Sequence, residues 1–535
     1  MTLETYLLTI LSMLFVISML AMVSEKLKVS YPILFVICGL LISFIPNVHE
    51  ILLNPNVVFL IFLPPLLFFS AWTTSWKNFV ANRKQISLLA IGLVVFTSTT
   101  IALLAHLLIP AFPLALGFVL GAIISPPDAI AASSVLQNLN VSPRVTSILE
   151  GESLVNDASS LIIFRFALAA VLTGQFSFWQ ATGDFFIVAG MGIATGLILS
   201  VAIYSIHKYL PTNSDIDTAI TLMAPYIIYL TAEHFGYSGV MAVVTGGLFL
   251  SSRSHEVFSF QSRLQVNAVW KTLNFLLNGF VFILIGLQLY RIAHGLKVFT
   301  FKQASFYTLI VCGITILIRL LWIYSFAYIS FLARKKRGAL NKEKFNAKAT
   351  FLIGWSGMRG IVSLASALSL PLLLPDGSVF PHRNLILFIT FGIILFTLVL
   401  QGLSLPLLIR VLKINYVGRN DIGDQETALQ SRLETECLNY LLNNYPAEKN
   451  NSSAVALLIT RFRQSISVVE NKPDGENSKK PDRFSEEYHN LLVQLVNVRR
   501  QELHKIRNEK IYTDEIINSR ERELDHEEAR LLSVY

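Results

Sequence analysis

With 535 residues, 53% of them hydrophobic and only 15% charged, the chain is too apolar for a soluble globular protein, and its mean hydropathy of +0.57 says the same. Its three cysteines, Cys38 and Cys312 in apolar runs and Cys437 in a polar stretch, offer neither a disulfide framework nor a thiolate metal site. The net charge of +8 would suggest nucleic acid in a soluble domain, but the basic residues here gather in loops between apolar runs, the pattern of a cytoplasmic membrane face.

Apolar runs recur as far as Leu412, about thirteen of them, each near the length a helix needs to cross a bilayer. They begin near Thr5, Tyr31, Val57, Gln85, Pro113, Val145, Phe185, Thr218, Tyr237, Val269, Ser305, Ala349 and Asn384. The first has no basic region before it and no small-residue cleavage site after it, so it reads as a retained span rather than a signal peptide. An odd number of spans puts the termini on opposite sides. The loop over 334–348, with Lys26, Lys28, Lys77, Arg83, Lys84, Arg144, Lys208, Arg253 and Arg263, falls on one side. Arg291, Lys297, Lys302 and Arg383 fall on the other. The positive-inside rule then places the N-terminus outside and the C-terminus in the cytoplasm.

Three spans carry helix breakers. Leu63-Pro64-Pro65 interrupts the third, Ser125-Pro126-Pro127-Asp128 the fifth, and Gly354-Trp355-Ser356-Gly357-Met358-Arg359-Gly360 the twelfth. A proline removes a donor and frees carbonyls that must find other partners, so such breaks persist only where protein or water covers them. From residue 413 to 535 the composition turns polar and charged. Runs at 426–443 and 484–523 have helical periodicity, with a linker-like stretch at 471–482 between them. The domains expected are a transmembrane part, 1–412, and a helical cytosolic tail, 413–535, a solvated appendage for which no ligand motif suggests a sensory role.

The stretch 149–164 holds the most unusual chemistry, with Glu150, Glu152, Asn156 and Asp157 inside an apolar run and Arg165 just after it. Each charge at that depth costs a few kcal/mol unless paired or wetted. Ser153 and Asp157, four apart, share a helix face, with Asn156 adjacent. A lone carboxylate in such a pocket favours a bound cation or a proton over standing uncompensated, and each excludes the other. Arg319, deep in the eleventh span, requires an anion, and Glu152 is the candidate for a structural pair. Arg165 can reach a carboxylate or the interface. Asp128 follows a double proline, at the electropositive start of a new half-helix; Arg359 follows a glycine-rich break and can face the electronegative end of the half-helix before it. Such matched breaks resemble the midplane site of inverted-repeat transporters. Glu150, Glu233 and His234 lie near span ends and read as residues outside the site. The chain has no Walker loop, no His-Glu-x-x-His and no paired cysteines, so an ATP-driven pump or membrane metalloprotease lacks its chemistry.

Ser125-Pro-Pro-Asp128-Ala-Ile-Ala followed by Glu150-Gly-Glu152-Ser-Leu-Val-Asn156-Asp157-Ala resembles the paired motif of the monovalent cation:proton antiporter-1 family, the sodium/proton exchangers. Gly357-Met-Arg359-Gly360, Tyr229-Leu-Thr-Ala-Glu233-His-Phe-Gly-Tyr-Ser238-Gly239 and Gln401-Gly402 follow in the same order, so the resemblance spans 5–412. It implies an all-α polytopic fold of two inverted repeats with crossed broken helices in the fifth and twelfth spans, and a homodimer in the cell membrane. It implies that Asp157 takes Na+ and H+ in turn with Asn156, Ser153 and Asp128 assisting, that Glu152 pairs with Arg319, and that Asp128 and Arg359 balance the crossed ends. An Asn-Asp pair implies one-for-one, electroneutral exchange. Na+, with Li+ or K+ as alternatives, and H+ are then transported substrates, and no cofactor, catalytic residue or nucleic-acid partner is expected. Many members carry a Thr where Pro127 stands and an acidic residue where Phe69 stands; both changes remove an ion ligand.

Two rivals belong to other classes. A cation channel, or a membrane sensor with the tail as output, would need a continuous pore, whereas this chain offers a single acidic site between broken helices. An intramembrane serine hydrolase using Ser153 lacks a His base in the same stretch.

Overall fold

The computed structural model describes residues 3–27, 30–44, 55–128, 143–174, 178–296, 298–336 and 347–412, with a few positions between 435 and 463. Two compact units are distinguished, Met1–Gly418 and Arg419–Tyr535. The tail segments expected to be helical and Cys437 lie largely or wholly outside the described residues, as does the stretch that would form the second half of the fifth span.

The first unit is all-helical, with no strand among its described residues beyond an isolated Leu373–Val379 bridge. In chain order its helices are α1 (Leu3–Leu27), α2 (Tyr31–Ile42), α3 (Pro55–Thr73), α4 (Trp76–Ser87), a π-helical segment (Leu88–Leu93), α5 (Val94–Leu108), α6 (Leu114–Ile124) and α7 (Pro143–Thr173). There follow α8 (Phe178–Tyr209), α9 (Ser214–His234), α10 (Gly239–Val257), α11 (Phe260–His294), α12 (Phe301–Lys336), α13 (Ala347–Trp355), α14 (Ile361–Leu368) and α15 (Arg383–Val411). Among the described residues, 7 helices are long and apolar enough to cross a membrane. Helices suit this composition because in lipid every backbone group must be satisfied within the segment itself.

Pro64 and Pro65 do not break the third span: α3 runs through both. The proline nitrogens release the carbonyls one turn back, and the Tyr226 hydroxyl of α9 donates to one of them, the Ile61 oxygen, at 3.0 Å. A freed acceptor with an external donor no longer forces a kink. The π-helical turn at 88–93 is the converse, an irregularity in an unbroken apolar run that the sequence does not announce.

The packing repeats itself. In the first half the α4–α5 span lies against α6 and α7, and α6 lies on α7; in the second, α12 lies against α13 and α15, and α14 on α15. The reciprocal pairs α3 with α10 and α2 with α11 complete the pattern. The α2–α11 crossing is made close by Gly39 and Gly286: a β-carbon on Gly39 would overlap the Ile283 carbonyl, and one on Gly286 the Val36 carbonyl. Small residues at such crossings let backbones approach and gain dispersion contacts where lipid supplies no hydrophobic drive. Gly39→Val is therefore expected to separate the two helices and cost roughly 1–3 kcal/mol or more by overpacking, read as a lowered thermal midpoint in detergent.

Candidate functional site

The two broken spans meet back to back. Pro126 and Pro127 carry no N–H, which stops α6 at Ile124; the other span halts at Trp355 and restarts at Ile361. Both breaks open on a serine whose hydroxyl folds onto the carbonyl three residues back: Ser125 onto Ala122 and Ser356 onto Ile353, each at 3.1 Å. The segments then cross-link. The Asp128 backbone N–H donates to the Met358 carbonyl at 2.7 Å, and Arg359 Nε donates to the Ile124 carbonyl at 2.6 Å. Arg359 Nη1 donates to the Gly357 carbonyl, and the Arg359 backbone N–H to the Thr397 hydroxyl of α15 at 3.2 Å.

This arrangement corrects the residue-by-residue reading of Arg359, while the half-helix after Asp128 lies outside the described residues. Arg359 does not face the end of its own preceding half-helix but the terminal carbonyl of α6, on the other span. Asp128 likewise reaches across: its carboxylate lies against Gly360 at the start of α14, where a β-carbon would overlap Oδ2. Each break's charge meets the partner helix's exposed end, the cation at the electronegative terminus and the anion at the electropositive one. Glycine is required at 360 by that close approach.

On α7 the carboxylates separate. Glu152, 1% exposed, accepts both guanidinium arms of Arg319, 2% exposed, with the Nη2–Oε2 arm at 2.9 Å. Arg319 also donates to the Gly354 and Ile353 carbonyls at 3.2 and 3.3 Å, so it ties α7 and α12 to the end of α13. Asn156, wholly buried, donates through Nδ2 to the Pro127 carbonyl at 3.2 Å, holding the fifth-span break to α7. Asp157, 8% exposed, has no basic partner among the described residues.

Asp157 faces a small cavity of about 30 Å³ at the crossing. Ser153 and Asp157 line it from α7, Pro126, Pro127 and Asp128 from the fifth-span break, Ser70 from α3, and Gly360 and Ser363 from the twelfth span. Of the sequence candidates, Asp157, Ser153 and Asp128 thus come together. Asn156 buttresses the cavity, and Glu152, Arg319 and Arg359 stand behind it. Ser70, Ser363 and Thr397 were not singled out by the sequence, since a lone hydroxyl in an apolar helix carries no signal. Phe69 does not line the cavity; its ring stacks on Trp270 with centroids 6.2 Å apart. Pro127 contributes its carbonyl to Asn156 and no side-chain ligand.

A wider cavity lies about one turn further along α7, lined by Leu161, Arg165, Tyr229, Glu233, Ser238 and Ser369 among others. Arg165 pairs with Glu233 of α9, whose other oxygen accepts from the Gly239 N–H at the start of α10, at 2.9 Å. His234 packs on its neighbour Phe235, and Glu150 is only partly buried and lines neither cavity.

Residues 10–411 match the family model described as sodium/hydrogen exchanger, transmembrane. The chain is 37% identical over 386 residues to a sodium, potassium, lithium and rubidium/H+ antiporter of Bacillus pumilus, covering 70% of this chain and 57% of that one. The Bacillus subtilis protein of the same name is 35% identical with the same coverage, so the chain spans little more than half the length of these relatives. It is also 32% identical to the Na+/H+ antiporter ApNhaP of Aphanothece halophytica, covering 73% of this chain and 71% of the relative. The solved structure of the sodium proton antiporter MjNhaP1 from Methanocaldococcus jannaschii shares the fold, with a TM-score of 0.59 at 21% identity over 75% of this chain and all of that one.

Proposed function

We propose, from the premise that the chain belongs to the sodium/hydrogen exchanger family, that it is a secondary antiporter exchanging Na+, with Li+ or K+ as alternatives, for H+. The observation that carries this reading is the isolation of Asp157. The other charges at the crossing are committed, Glu152 to Arg319 and Arg359 to helix carbonyls, with Asp128 set against the start of α14. Asp157 stands at the cavity with no basic partner among the described residues, and a carboxylate so placed is neutralised by a cation or by a proton, not both. Alternating access follows if the bundle bearing Asp157 moves against the rest, exposing the cavity to each side in turn. Loop charges support an external N-terminus and a cytoplasmic tail in a multi-pass membrane protein, and the family resemblance supports a homodimer.

One exchangeable charge per site implies one-for-one exchange. In proteoliposomes holding a pH gradient, added Na+ is expected to dissipate the gradient with no response from a potential-sensitive dye. Because the ions compete, the apparent KM for Na+ should fall as the pH is raised. A Na+ flux that follows the sodium Nernst potential without proton movement would instead establish the channel reading.

A further inference from the structure

We propose that Ser363 is a ligand of the transported cation, contributed by the second repeat to a site otherwise built on α7. The inference rests on the exchanger reading and concerns the same cavity. Its starting point is a hydroxyl that behaves unlike its neighbours. Serines in membrane helices ordinarily donate to a carbonyl three or four residues back, and here Ser70 donates to Leu66, Ser159 to Val155, Ser366 to Val362 and Ser369 to Ser366. Ser363 sits in the first turn of α14, so the residues three and four back are Gly360 and Arg359, in the non-helical break. The Arg359 carbonyl four back lies in the break, and the Gly360 carbonyl three back accepts the Leu364 N–H at 3.2 Å rather than the Ser363 hydroxyl.

The residue is 1% exposed and its Oγ has no hydrogen-bond partner among the described residues. A buried hydroxyl in that condition costs free energy unless something at the site engages it. Other orphaned hydroxyls have nothing to do with the cavity: Ser98 lies at the α5–α6 crossing beside Gly121, and Ser200 beside Gly246. Ser363 lines the cavity together with Asp157 and Ser153. An alkali cation takes hard oxygen ligands, several at once. A neutral hydroxyl from α14 supplies one without adding a further titratable charge. One ligand from each repeat also couples ion binding to the relative position of α7 and α14.

The test is the ion dependence of exchange in proteoliposomes for wild type, Ser363→Ala and Ser363→Thr. The alanine variant is expected to raise the apparent KM for Na+ about tenfold, the scale of one hydrogen-bond-strength contact to a charged group, at an unchanged maximal rate. Threonine, which keeps the hydroxyl, should restore the wild-type KM within about twofold. An active alanine variant with an unchanged KM overturns the proposal. So does a fall in maximal rate without a KM change, or a loss of thermal stability shared by both variants, since either makes the residue structural. A wild-type protein that does not exchange counts against the exchanger reading instead. Ligation by Ser363 is then decided by Na+-dependent thermal stabilisation, expected in wild type and lost in Ser363→Ala; its persistence in the alanine variant overturns the proposal.

Discussion

Asp157→Asn is expected to reduce Na+-driven proton movement to the background of protein-free liposomes while leaving a folded protein. The substitution keeps the size and planarity of the side chain and removes its charge. No arginine, lysine or histidine among the described residues depends on that charge, so no buried cation is stranded, and the thermal midpoint should move by no more than a few degrees. What is lost is the carboxylate proposed to hold a proton and a cation in turn. Asp157→Glu, which keeps the charge but moves it by one methylene, is the informative control. It should retain exchange with a raised KM for Na+, because ligand geometry shifts while competition survives. Full exchange by the asparagine variant would sink the assignment.

The crossing explains why a single carboxylate can carry the cycle. Exposed helix ends at membrane depth are partial charges, and left alone they would compete with Asp157 for any ion in the cavity. Arg359 on the Ile124 carbonyl, and Asp128 against the start of α14, quench them reciprocally across the two spans. On the proposed exchange, the loaded states of the site differ in what Asp157 holds. Na+ and H+ leave it with the same net charge, and that equality underlies the electroneutral exchange proposed above.

The charged part of this site was legible in the sequence because a charge in an apolar run demands a partner or water, whatever the fold. Asp157, Glu152, Arg319, Asp128 and Arg359 all announce themselves in that way. Which partner each finds is a matter of which spans touch: local helix logic turned Arg359 toward its own preceding half-helix, whereas its Nε meets the Ile124 carbonyl of the other span. Pro64 and Pro65 misled for the same reason, since the relief of the broken ladder comes from Tyr226, far along the chain. Ser363 was invisible because its identity is ordinary. Its distinction lies in a hydroxyl left without a partner among the described residues, beside the cavity. The π-helical turn at 88–93 was hidden by a run of residues that suit an α-helix equally well.

Glu152→Gln should behave oppositely to Asp157→Asn, although the two carboxylates lie on one helix. Glu152 and Arg319 are both buried and doubly bonded to each other. Removing the charge leaves a guanidinium enclosed among α7, α12 and α13 with one neutral amide oxygen and the Gly354 and Ile353 carbonyls as acceptors and no counter-charge among the described residues. Breaking one side of such a pair costs about 3–5 kcal/mol, most of it the uncompensated charge. The expected result is a thermal midpoint lowered well beyond that of Asp157→Asn, with reduced yield of monodisperse protein. Exchange by the surviving folded fraction should keep a wild-type KM for Na+, since Glu152 does not line the cavity. The double variant Glu152→Gln with Arg319→Met separates charge from packing. If the stranded guanidinium is the cause, removing it should recover stability relative to Glu152→Gln alone, short of the full amount because the Gly354 and Ile353 carbonyls lose their donor. A Glu152→Gln protein as stable as wild type, or one whose defect is a raised KM at normal stability, would move Glu152 from the scaffold into the ion site.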